Sequence, residues 1–465
     1  LKAKKEIIER LDNNVLDHLS QEQLIEPRGN YRNQACEVIR PKTTPEVSKI
    51  LSILHKHKVG VVPYSGGTGL VGGQMAPGKD CFLLSLEKMT KLREVSSSDG
   101  ILTVEAGMKL WEVQNAAKKI NRIFPLSLAS EGSCQIGGNL ATNAGGINVV
   151  KYGNIRNLCM GLEVVFSDGQ VYHGLNLLYK DNTGYDIRNL LIGSEGTLGI
   201  ITAANLRTFP IPEEKLVSMV QVSGVSEALA VFGILKEKFP DQIQAFELIS
   251  VQALKFLDLT GFRFKEPFRN RSEWMILVEI SGPKSFDLRG VFEFSLAEAA
   301  DKELIIDAII SASESQVQSL WYIRENISEA NKRVGAIVSS DVSVPIFRIP
   351  EFVKKAEQML QKISDDLVIN CFGHLGDGNL HYNVFPAPGK TKNEYFLERK
   401  DIQSAIHQLA VDLGGSISAE HGIGRLKVEE FAKHSDPGKL KAIKLIKRAL
   451  DPHGILNPGA IITDF

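Results

Sequence analysis

The spacing of apolar and polar residues changes after Phe209. Between residues 36 and 210, short runs of valine, isoleucine and leucine alternate with glycine-rich turns, which is typical of an α+β domain with many strands. Residues 209–215 then bring two prolines and three charged residues after a strand. Such a cluster predicts a boundary between domains.

Beyond the boundary, apolar runs typical of strands alternate with amphipathic helical spacing. A strand at 216–222 and a helix at 226–239 precede a second strand and helix within 245–257 and a strand at 274–280. This order predicts a sheet with helices on one face. A helix at 317–334 then precedes a polar–apolar alternation at 337–344, and residues after about 425 form basic amphipathic helices.

The first glycine loop contains a pattern that, taken alone, would predict a nicotinamide dinucleotide site. A predicted strand at 58–64 leads into Gly67–Gly72, which satisfies G-x-G-x-x-G. That fold needs a helix after the last glycine. Only residues 74–81, which include Pro77, separate the loop from the next predicted strand. No crossover helix fits there, so we reject this interpretation.

Two further glycine-rich loops, at 132–146 and 193–202, accompany the loop at 65–73. A single loop of this kind is usually a structural turn. Glycine also allows backbone N–H groups to approach a phosphate without obstruction. Three such loops at predicted strand ends suit an extended dinucleotide, whose diphosphate, ribitol and ring each need a close backbone.

Composition narrows the class of protein. The chain has 465 residues, of which 43% are apolar and 23% are charged, and its net charge is −1. These values predict a globular protein of two or three domains without a field that favours nucleic acid. No apolar run reaches the length of a transmembrane helix, about 20 residues. The five cysteines are odd in number and scattered, so we expect a reducing compartment.

Three of the ten histidines lie in two motifs rich in small residues, 373–384 and 418–424. His381 and Asn383 are two apart on a predicted strand and should face the same side. Imidazole and carboxylate together suit zinc or a similar cation, and two histidines with one glutamate leave a position open for substrate. These residues could instead be ordinary polar residues of loops, but their grouping favours metal binding or catalysis.

The three loops, in this order, resemble the FAD domain of the vanillyl-alcohol-oxidase type of flavoprotein. The stretch 132–210, with Lys-Asp-Asn-Thr-Gly-Tyr-Asp at 180–186, is most similar to FAD-linked D-2-hydroxy acid dehydrogenases, in particular D-2-hydroxyglutarate dehydrogenases and the related D-lactate dehydrogenases. The resemblance implies an α+β fold with an FAD domain at 1–215 and an α+β substrate and metal domain with an antiparallel sheet at 216–425. C-terminal helices at 426–465 should return to the FAD domain.

The resemblance also implies residues for the cofactor. Residues 65–69 would hold the pyrophosphate, Ile200 would touch the ring or adenine side through its backbone, and Asn457 would close the site. No histidine lies beside the first loop, so we expect non-covalent FAD. The full expected set is Ser65, Gly66, Gly67, Thr68, Gly69, Gly132, Ser133, Gly138, Ala141, Thr142, Asn143, Ile200 and Asn457.

For the metal, the resemblance implies His374, His381 and Glu420 as ligands of a divalent cation, with zinc preferred. His421 would accept the proton of the substrate hydroxyl, as an imidazole can near neutral pH, while a hydride leaves C2 for the flavin. Arg324, Ser328, Asn383 and His421 would contact the substrate, although an arginine on a helix is by default a solvated surface charge.

One position departs from the resemblance. D-2-Hydroxyglutarate dehydrogenases should carry a lysine in the strand that leads to 341–345, and this chain has Ser339 there. A cation for the distal carboxylate is therefore missing, unless Arg425 or Lys427 replaces it. The serine weakens the assignment to glutarate relative to D-lactate, which has no second carboxylate.

Three classes of function therefore stay open, of which we favour a dehydrogenase dependent on FAD and a metal. A metal-dependent hydrolase with a nucleotide site would use the same histidines but would be colourless. A flavin-binding sensor would explain the loops but not the histidines. For the favoured class we expect a 2-hydroxy acid substrate, an acceptor such as an electron-transfer flavoprotein or a quinone, and no nucleic acid. A homodimer and a place in the cytoplasm or an organelle matrix complete the expectation.

Overall fold

The chain divides into two compact units in a computed structural model that describes residues 2–11, 15–29, 31–35 and 37–463. Unit 1 comprises the described residues among 1–146, 152–211 and 420–465, and unit 2 comprises 147–151 and 212–419. Cys36 lies outside the described residues, whereas Cys81, Cys134, Cys159 and Cys371 are buried and form no disulfide bond among the described residues.

The elements up to residue 211 are short and numerous. Their helices are α1 Lys2–Arg10, α2 Gln21–Leu24, α3 Thr44–His57, α4 Leu110–Lys119, α5 Ile136–Thr142, α6 Val149–Tyr152, α7 Ile155–Leu158 and α8 Ile187–Leu191. Their strands are β1 Leu16–Asp17, β2 Val38–Ile39, β3 Gly60–Tyr64, β4 Cys81–Ser85, β5 Leu92–Ser96, β6 Ile101–Glu105, β7 Arg122–Ile123, β8 Cys159–Val165, β9 Val171–Gly174, β10 Ile200–Arg207 and β11 Phe209–Pro210.

Unit 1 is built on two main sheets, with strand orders β1-β2-β4-β3 and β5-β6-β10-β8-β9 among its described residues. Strands β6 and β8 are buried along their whole length. Their sequences are therefore mainly apolar and do not alternate strictly between apolar and polar residues. Helix α3 packs its apolar stripe into the same core. It begins at Thr43, whose hydroxyl accepts the N–H of Glu46, as an N-cap residue should.

The first glycine loop connects two parallel strands. Strand β3 pairs with β4 in parallel, with Gly60 opposite Cys81. The connection at 65–80 is described in full and contains turns and bends but no helix. The rejection of a nicotinamide-type βαβ unit is therefore correct. The glycine loop itself forms the crossover that such a unit would make with a helix.

Unit 2 follows with longer elements. Its helices are α9 Val225–Lys238, α10 Val251–Leu259, α11 Leu288–Asp301, α12 Glu314–Val334, α13 Ile349–Ile363 and α14 Arg399–Asp412. Its strands are β12 Glu214–Val222, β13 Ile243–Ser250, β14 Trp274–Gly282, β15 Ile305–Ile310, β16 Val338–Ser343, β17 Val368–His374 and β18 Asn379–Phe385. The chain then re-enters unit 1 and forms α15 Val428–His434 and α16 Pro437–Leu450.

The sheet of unit 2 has the strand order β15-β12-β14-β13-β17-β18-β16 and only antiparallel pairings among the described residues. Helices α9, α11, α13 and α14 share a core with one face, and α10 and α12 share a second core with the other. The prediction of helices on one face only is therefore wrong. The inner strands carry apolar residues on both faces, so both faces need a cover.

The C-terminal segment of unit 1 returns to its first sheet. Val61 of β3 and Leu456 form a parallel bridge, and the N–H of Asn457 donates to the carbonyl of Val61 at 2.8 Å. Lys447 of α16 is buried, and its ammonium donates to the carbonyls of Thr197 and Leu456, each at 2.8 Å. Within the described ranges, none of the helices is apolar and long enough for a transmembrane span.

Candidate active site

The first glycine loop leaves the end of β3 in a conformation that needs glycine. Gly66 and Gly67 have φ values of +80° and +68°, in the left-handed region that other residues rarely adopt. A Cβ atom on Gly66 would lie 2.6 Å from the carbonyl oxygen of Ser133, and one on Gly67 would lie 1.9 Å from the hydroxyl of Tyr64. The backbone of this loop therefore approaches its neighbours too closely for any side chain.

The start of α5 packs against the same loop. The N–H of Gly138 donates to the hydroxyl of Ser65 at 2.9 Å. A Cβ atom on Gly138 would lie 2.7 Å from the carbonyl of Ser65, and one on Gly137 would lie 2.8 Å from the Cβ of Ala106. The backbone of the glycine loop and the backbone at the start of α5 thus approach each other closely, an arrangement that suits the binding of a thin, extended ligand.

These segments line a cleft within unit 1 that holds about 840 Å³ of space free of protein atoms, its open mouth included. Four of the residues expected at the cofactor, Gly66, Gly132, Ser133 and Asn143, are not part of its wall. Those that do line it are Ser65, Gly67, Thr68, Gly69, Gly138, Ala141, Thr142, Ile200 and Asn457.

Two lining residues of this cleft hold strained backbone. Glu195 and Asn457 have φ values of +51° and +43°, which cost free energy in residues other than glycine and are frequent at functional sites. The amide of Asn457 donates to the carbonyl of Glu195 at 2.7 Å. The strained turn at Glu195 is thereby tied to the C-terminal segment.

The carboxylate of Glu195 anchors the second histidine motif. Its two oxygens accept the N–H groups of Ile423 and Gly424, each at 2.7 Å. Burial raises the pKa of Glu195, and the two N–H groups offset part of this increase. His421 precedes these residues and lines the same cleft. An imidazole therefore faces the space in which the glycine loops converge.

The other histidines lie on one face of the sheet of unit 2. Side chains alternate between the two faces along a strand. Leu380, Tyr382 and Val384 of β18 enter the core with α13 and α14, so His381 and Asn383 face the opposite side. On that side the rings of His374 and His381 are 5.5 Å apart between centroids.

Glu247 of β13 lies behind His374. Its Oε1 lies 2.6 Å from the Nδ1 of His374, within hydrogen-bond distance. Its Oε2 accepts the Nε–H of Arg324 at 2.7 Å, and the Nη2 of the same guanidinium lies 2.7 Å from that oxygen as an ion pair. Burial alone would raise the pKa of Glu247, but the charges and hydrogen bonds of Arg324 and His374 outweigh burial and lower the pKa to about 2. The carboxylate is therefore ionised at neutral pH.

Arg324 is a buried residue and not the solvated surface charge that its place on a helix predicts by default. Its side chain is 8% exposed, and the guanidinium lies 4.9 Å from the ring centroid of Phe372. Asn331, two turns further along α12, accepts a hydrogen bond from the amide of Asn370 at 2.8 Å. Ser328 is exposed.

Two further titratable side chains, His381 and Asp377, lie close to charged groups of unit 2. The Nδ1 of His381 is 3.9 Å from Asp341, beyond hydrogen-bond distance, and Asp341 accepts the amide of Asn379 at 2.9 Å instead. Burial raises the pKa of Asp377 to about 6, although His374 opposes this shift.

His374 and His381 are the part of the expected metal site that lies within unit 2. They offer ligand atoms within 4.8 Å of each other. A divalent cation bound at about 2.1 Å needs its ligands within about 4 Å of each other, so the pair fits an ion after a small approach. The expected third ligand, Glu420, follows Ala419, the last residue of unit 2, whose N–H donates to the carbonyl of Asp341 at 3.2 Å.

Neither suggested substitute for the missing lysine stands out as a free cation. Ser339 lies opposite Asn383 on the neighbouring strand and is exposed. Arg425 donates through Nη1 to the carbonyls of Gly72 and Gly73 and through Nη2 to Asn457 and the carbonyl of Pro458. Arg425 thus fastens loops of unit 1 together, and Lys427 is buried.

Two sequence profiles of known families match the chain. Residues 37–174 match the FAD binding domain, and residues 211–461 match the C-terminal domain of FAD linked oxidases. The chain belongs to the FAD-linked oxidase family. The resemblance to flavoproteins is therefore confirmed, and FAD is the cofactor of this FAD-linked oxidase. The cleft fits it, because bare backbone and small side chains form the wall.

Curated relatives of the chain carry the names of D-2-hydroxyglutarate and D-lactate dehydrogenases. The oxidase is 36% identical to mitochondrial D-2-hydroxyglutarate dehydrogenase of Bos taurus over 92% of its own length and 77% of the relative. It is 35% identical to D-2-hydroxyglutarate dehydrogenase of Xanthomonas citri pv. viticola over 90% and 88%. A putative mitochondrial D-lactate dehydrogenase of Schizosaccharomyces pombe is 32% identical over 92% and 82%.

The fold of this FAD-linked oxidase also occurs in p-cresol methylhydroxylase. The two structures superpose with a TM-score of 0.77 at 16% identity, over 100% of this chain and 98% of the other. The predicted fold class, of the vanillyl-alcohol-oxidase type with an antiparallel sheet, is confirmed.

Sequence reasoning about this FAD-linked oxidase missed two glutamates, Glu195 and Glu247. Each is an acidic residue within a segment that is otherwise buried: Glu195 is 8% exposed, and Glu247 is fully buried in the middle of β13. A buried carboxylate normally has a charged or hydrogen-bonded partner. The polar residue in the apolar run Ala-Phe-Glu-Leu-Ile at 245–249 was the signal that could have found Glu247.

Proposed function

We propose that this FAD-dependent oxidoreductase oxidises a D-2-hydroxy acid to the 2-oxo acid with the help of a divalent metal, and that its substrate is D-2-hydroxyglutarate. The observation that carries the proposal is the proximity of His374 and His381 in unit 2, with Glu420 as the expected third ligand, in a chain whose relatives carry the name of that dehydrogenase. Two imidazoles and a carboxylate are the donors that zinc and similar cations prefer.

The residues of the cleft would hold FAD through their backbone. Ser65, Gly67 and Gly69 line it beside Gly138 at the start of α5. No histidine lies in 60–70 beside the loop, which favours a non-covalent cofactor. Bound FAD supplies the electron acceptor for the carbon centre. The chain contributes position, exclusion of water and the transfer of the proton.

His421 is the proposed base, because it lines the cleft and follows the ligand Glu420. A neutral imidazole can take the hydroxyl proton near neutral pH. A metal held by the three ligands would supply Lewis-acid polarisation of the hydroxyl. Arg324, with Asn383 and Ser328, would bind carboxylate oxygens, since the guanidinium fork matches a carboxylate.

The second candidate substrate is D-lactate, which Ser339 favours. Ser339 offers no charge to a distal carboxylate and lies opposite Asn383 on the sheet. A charge-assisted hydrogen bond is worth about 1.5–3 kcal/mol, so its absence lowers discrimination for a dicarboxylate by about 10- to 100-fold. The chemistry at the hydroxy-acid end would be unchanged.

Anaerobic bleaching of the flavin tests the proposal. D-2-Hydroxyglutarate should bleach the bound FAD faster than D-malate, D-lactate or the L-isomers, and a chelator should abolish bleaching while the FAD stays bound. Ser339→Lys should raise kcat/KM for D-2-hydroxyglutarate relative to D-lactate, whereas Ser339→Gln, of similar length but uncharged, should not. A wild type that prefers D-lactate would sink the glutarate assignment, and bleaching that survives chelation would remove the metal.

A further inference from the structure

We infer that Glu247 is a positioning residue that orients a metal ligand and a substrate-binding cation at the same time. The inference rests on the proposed function, because it takes His374 as a ligand of the metal and Arg324 as a contact of the substrate. It adds a residue that is neither a metal ligand nor a substrate contact. This residue lies on a different secondary-structure element from each of its two partners. Glu247 is on β13, His374 on β17 and Arg324 on α12.

The carboxylate of Glu247 is fully committed to these two partners. Oε1 faces the Nδ1 of His374, and Oε2 faces the Nε and Nη2 of Arg324. Its neighbours Phe246 and Leu248 belong to the core on the other face of the sheet. Glu247 is 0% exposed, so water cannot replace either partner. A buried carboxylate with this arrangement exists because both partners are present.

The contact to Glu247 sets which nitrogen of His374 can bind a cation. An ionised carboxylate only accepts hydrogen bonds, so the proton of a neutral His374 is on Nδ1. The lone pair is then on Nε2, on the opposite side of the ring. A carboxylate behind a metal-bound imidazole fixes the tautomer and the orientation of the ring and raises the basicity of the ligand.

The same carboxylate sets which donors of Arg324 remain. Nε–H donates to Oε2 of Glu247, and Nη2 lies 2.7 Å from that oxygen, so the N–H groups left for a substrate lie on the outer edge of the guanidinium. The guanidinium carbon also lies 4.9 Å from the centroid of the Phe372 ring, a cation–π contact that helps to hold the guanidinium in place. Glu247 therefore couples the two halves of substrate recognition, and its loss should weaken metal binding and carboxylate binding together.

Direct titration with Zn²⁺ tests this inference in the FAD-loaded protein after removal of metal. Competition with a chromophoric chelator gives the affinity without any need for turnover. Glu247→Gln places an amide N–H against Nδ1 of His374 and favours the wrong tautomer, so the affinity for Zn²⁺ should fall about 10- to 100-fold. At saturating Zn²⁺, the KM for the 2-hydroxy acid should also rise.

Glu279→Gln is the matched control. Glu279 is a buried glutamate of the adjacent strand β14 and accepts the indole N–H of Trp321 at 2.7 Å. Its replacement also removes a buried carboxylate from unit 2, but it should leave the affinity for Zn²⁺ unchanged. The double variant Glu247→Leu/Arg324→Met covers the case in which an unpaired buried arginine unfolds the single variant. It offers no acceptor to Nδ1 of His374, so it should also show weakened Zn²⁺ binding.

The outcomes separate the two proposals. Glu247 variants that bind Zn²⁺ as tightly as the wild type would overturn the positioning role, even if the enzyme is a metal-dependent dehydrogenase. Equal losses in Glu279→Gln and Glu247→Gln would also overturn it, since the effect would be general. A wild type that turns over D-2-hydroxy acids without binding Zn²⁺ or another divalent ion would instead overturn the metal in the proposed function.

Discussion

Removal of one oxygen of Glu195 should loosen the segment that carries His421. In the wild type, the two carboxylate oxygens accept the N–H groups of Ile423 and Gly424, each at 2.7 Å. Glu195→Gln keeps the size of the side chain but turns one acceptor into an NH₂ group. That group faces a backbone N–H, so one charge-assisted hydrogen bond is lost and a buried donor is left without an acceptor.

The expected magnitude follows from that single bond. A hydrogen bond to a charged group contributes about 1.5–3 kcal/mol, and a buried donor without a partner costs a similar amount. The amide is cheaper to bury than the carboxylate, whose pKa burial raises, and this difference offsets part of the loss. We expect Glu195→Gln to lower the free energy of unfolding by about 1.5–3 kcal/mol.

Urea unfolding followed by flavin fluorescence measures this loss in the unit that holds the cofactor. Glu94→Gln is the control, because Glu94 is an exposed glutamate on β5 of the same unit, where a substitution should change stability by less than about 0.5 kcal/mol. Turnover should fall in Glu195→Gln, since the segment with Glu420 and His421 loses an anchor. Equal unfolding curves for the two variants would refute the anchoring role of the carboxylate.

Two further predictions concern the glycine loop and pH. Gly66→Ala should lose FAD, because the φ of Gly66 is +80° and an added Cβ would lie 2.6 Å from the carbonyl of Ser133. Gly78→Ala is the control and should keep FAD, since an added Cβ there would meet nothing within 4 Å. The ratio of FAD to protein, measured by absorbance, tests this prediction, and equal retention in the two variants would contradict the close approach at Gly66. Asp377 has a pKa of about 6 in the folded state against 3.8 as its ordinary value. The folded state therefore holds this proton up to a higher pH, so stability falls as pH rises from about 4 to 6, by at most about 3 kcal/mol. Denaturation of chelator-treated protein across this range should show the slope, Asp377→Asn should lack it, and a variant with the same slope as the wild type would exclude Asp377 as its source.

Much of the fold follows from local pattern. The 317–334 periodicity matches α12, which begins after Ser313, a side chain that accepts the N–H of Gln316, and ends at Gly335 with φ +88°. The 337–344 alternation matches β16. Caps and periodicity are properties of neighbouring residues, so the sequence shows them directly. The glycine loops indicated a dinucleotide for the same reason.

Strand pairing is what the sequence did not show. The Glu247–His374 contact joins residues 127 apart and depends on β13 lying beside β17. The parallel pairing of β3 with β4 depends on a crossover without a helix, which the usual rules disfavour. The second layer of helices on the sheet of unit 2 has the same origin, because the spacing of apolar residues shows which side of a helix is buried but not which face of the sheet it covers.

The chain passes between the units four times, and this path has a consequence for the order of folding. Residues 212–419 supply nearly all of unit 2 as one continuous segment, so this unit can fold as it leaves the ribosome. The first sheet of unit 1, by contrast, is complete only after synthesis of Leu456, which pairs with Val61 of β3. Long-range pairings of this kind are slow, because the loop must close before any contact forms. Loss of the last ten residues should therefore yield a soluble unit 2 attached to an aggregation-prone, flavin-free remainder.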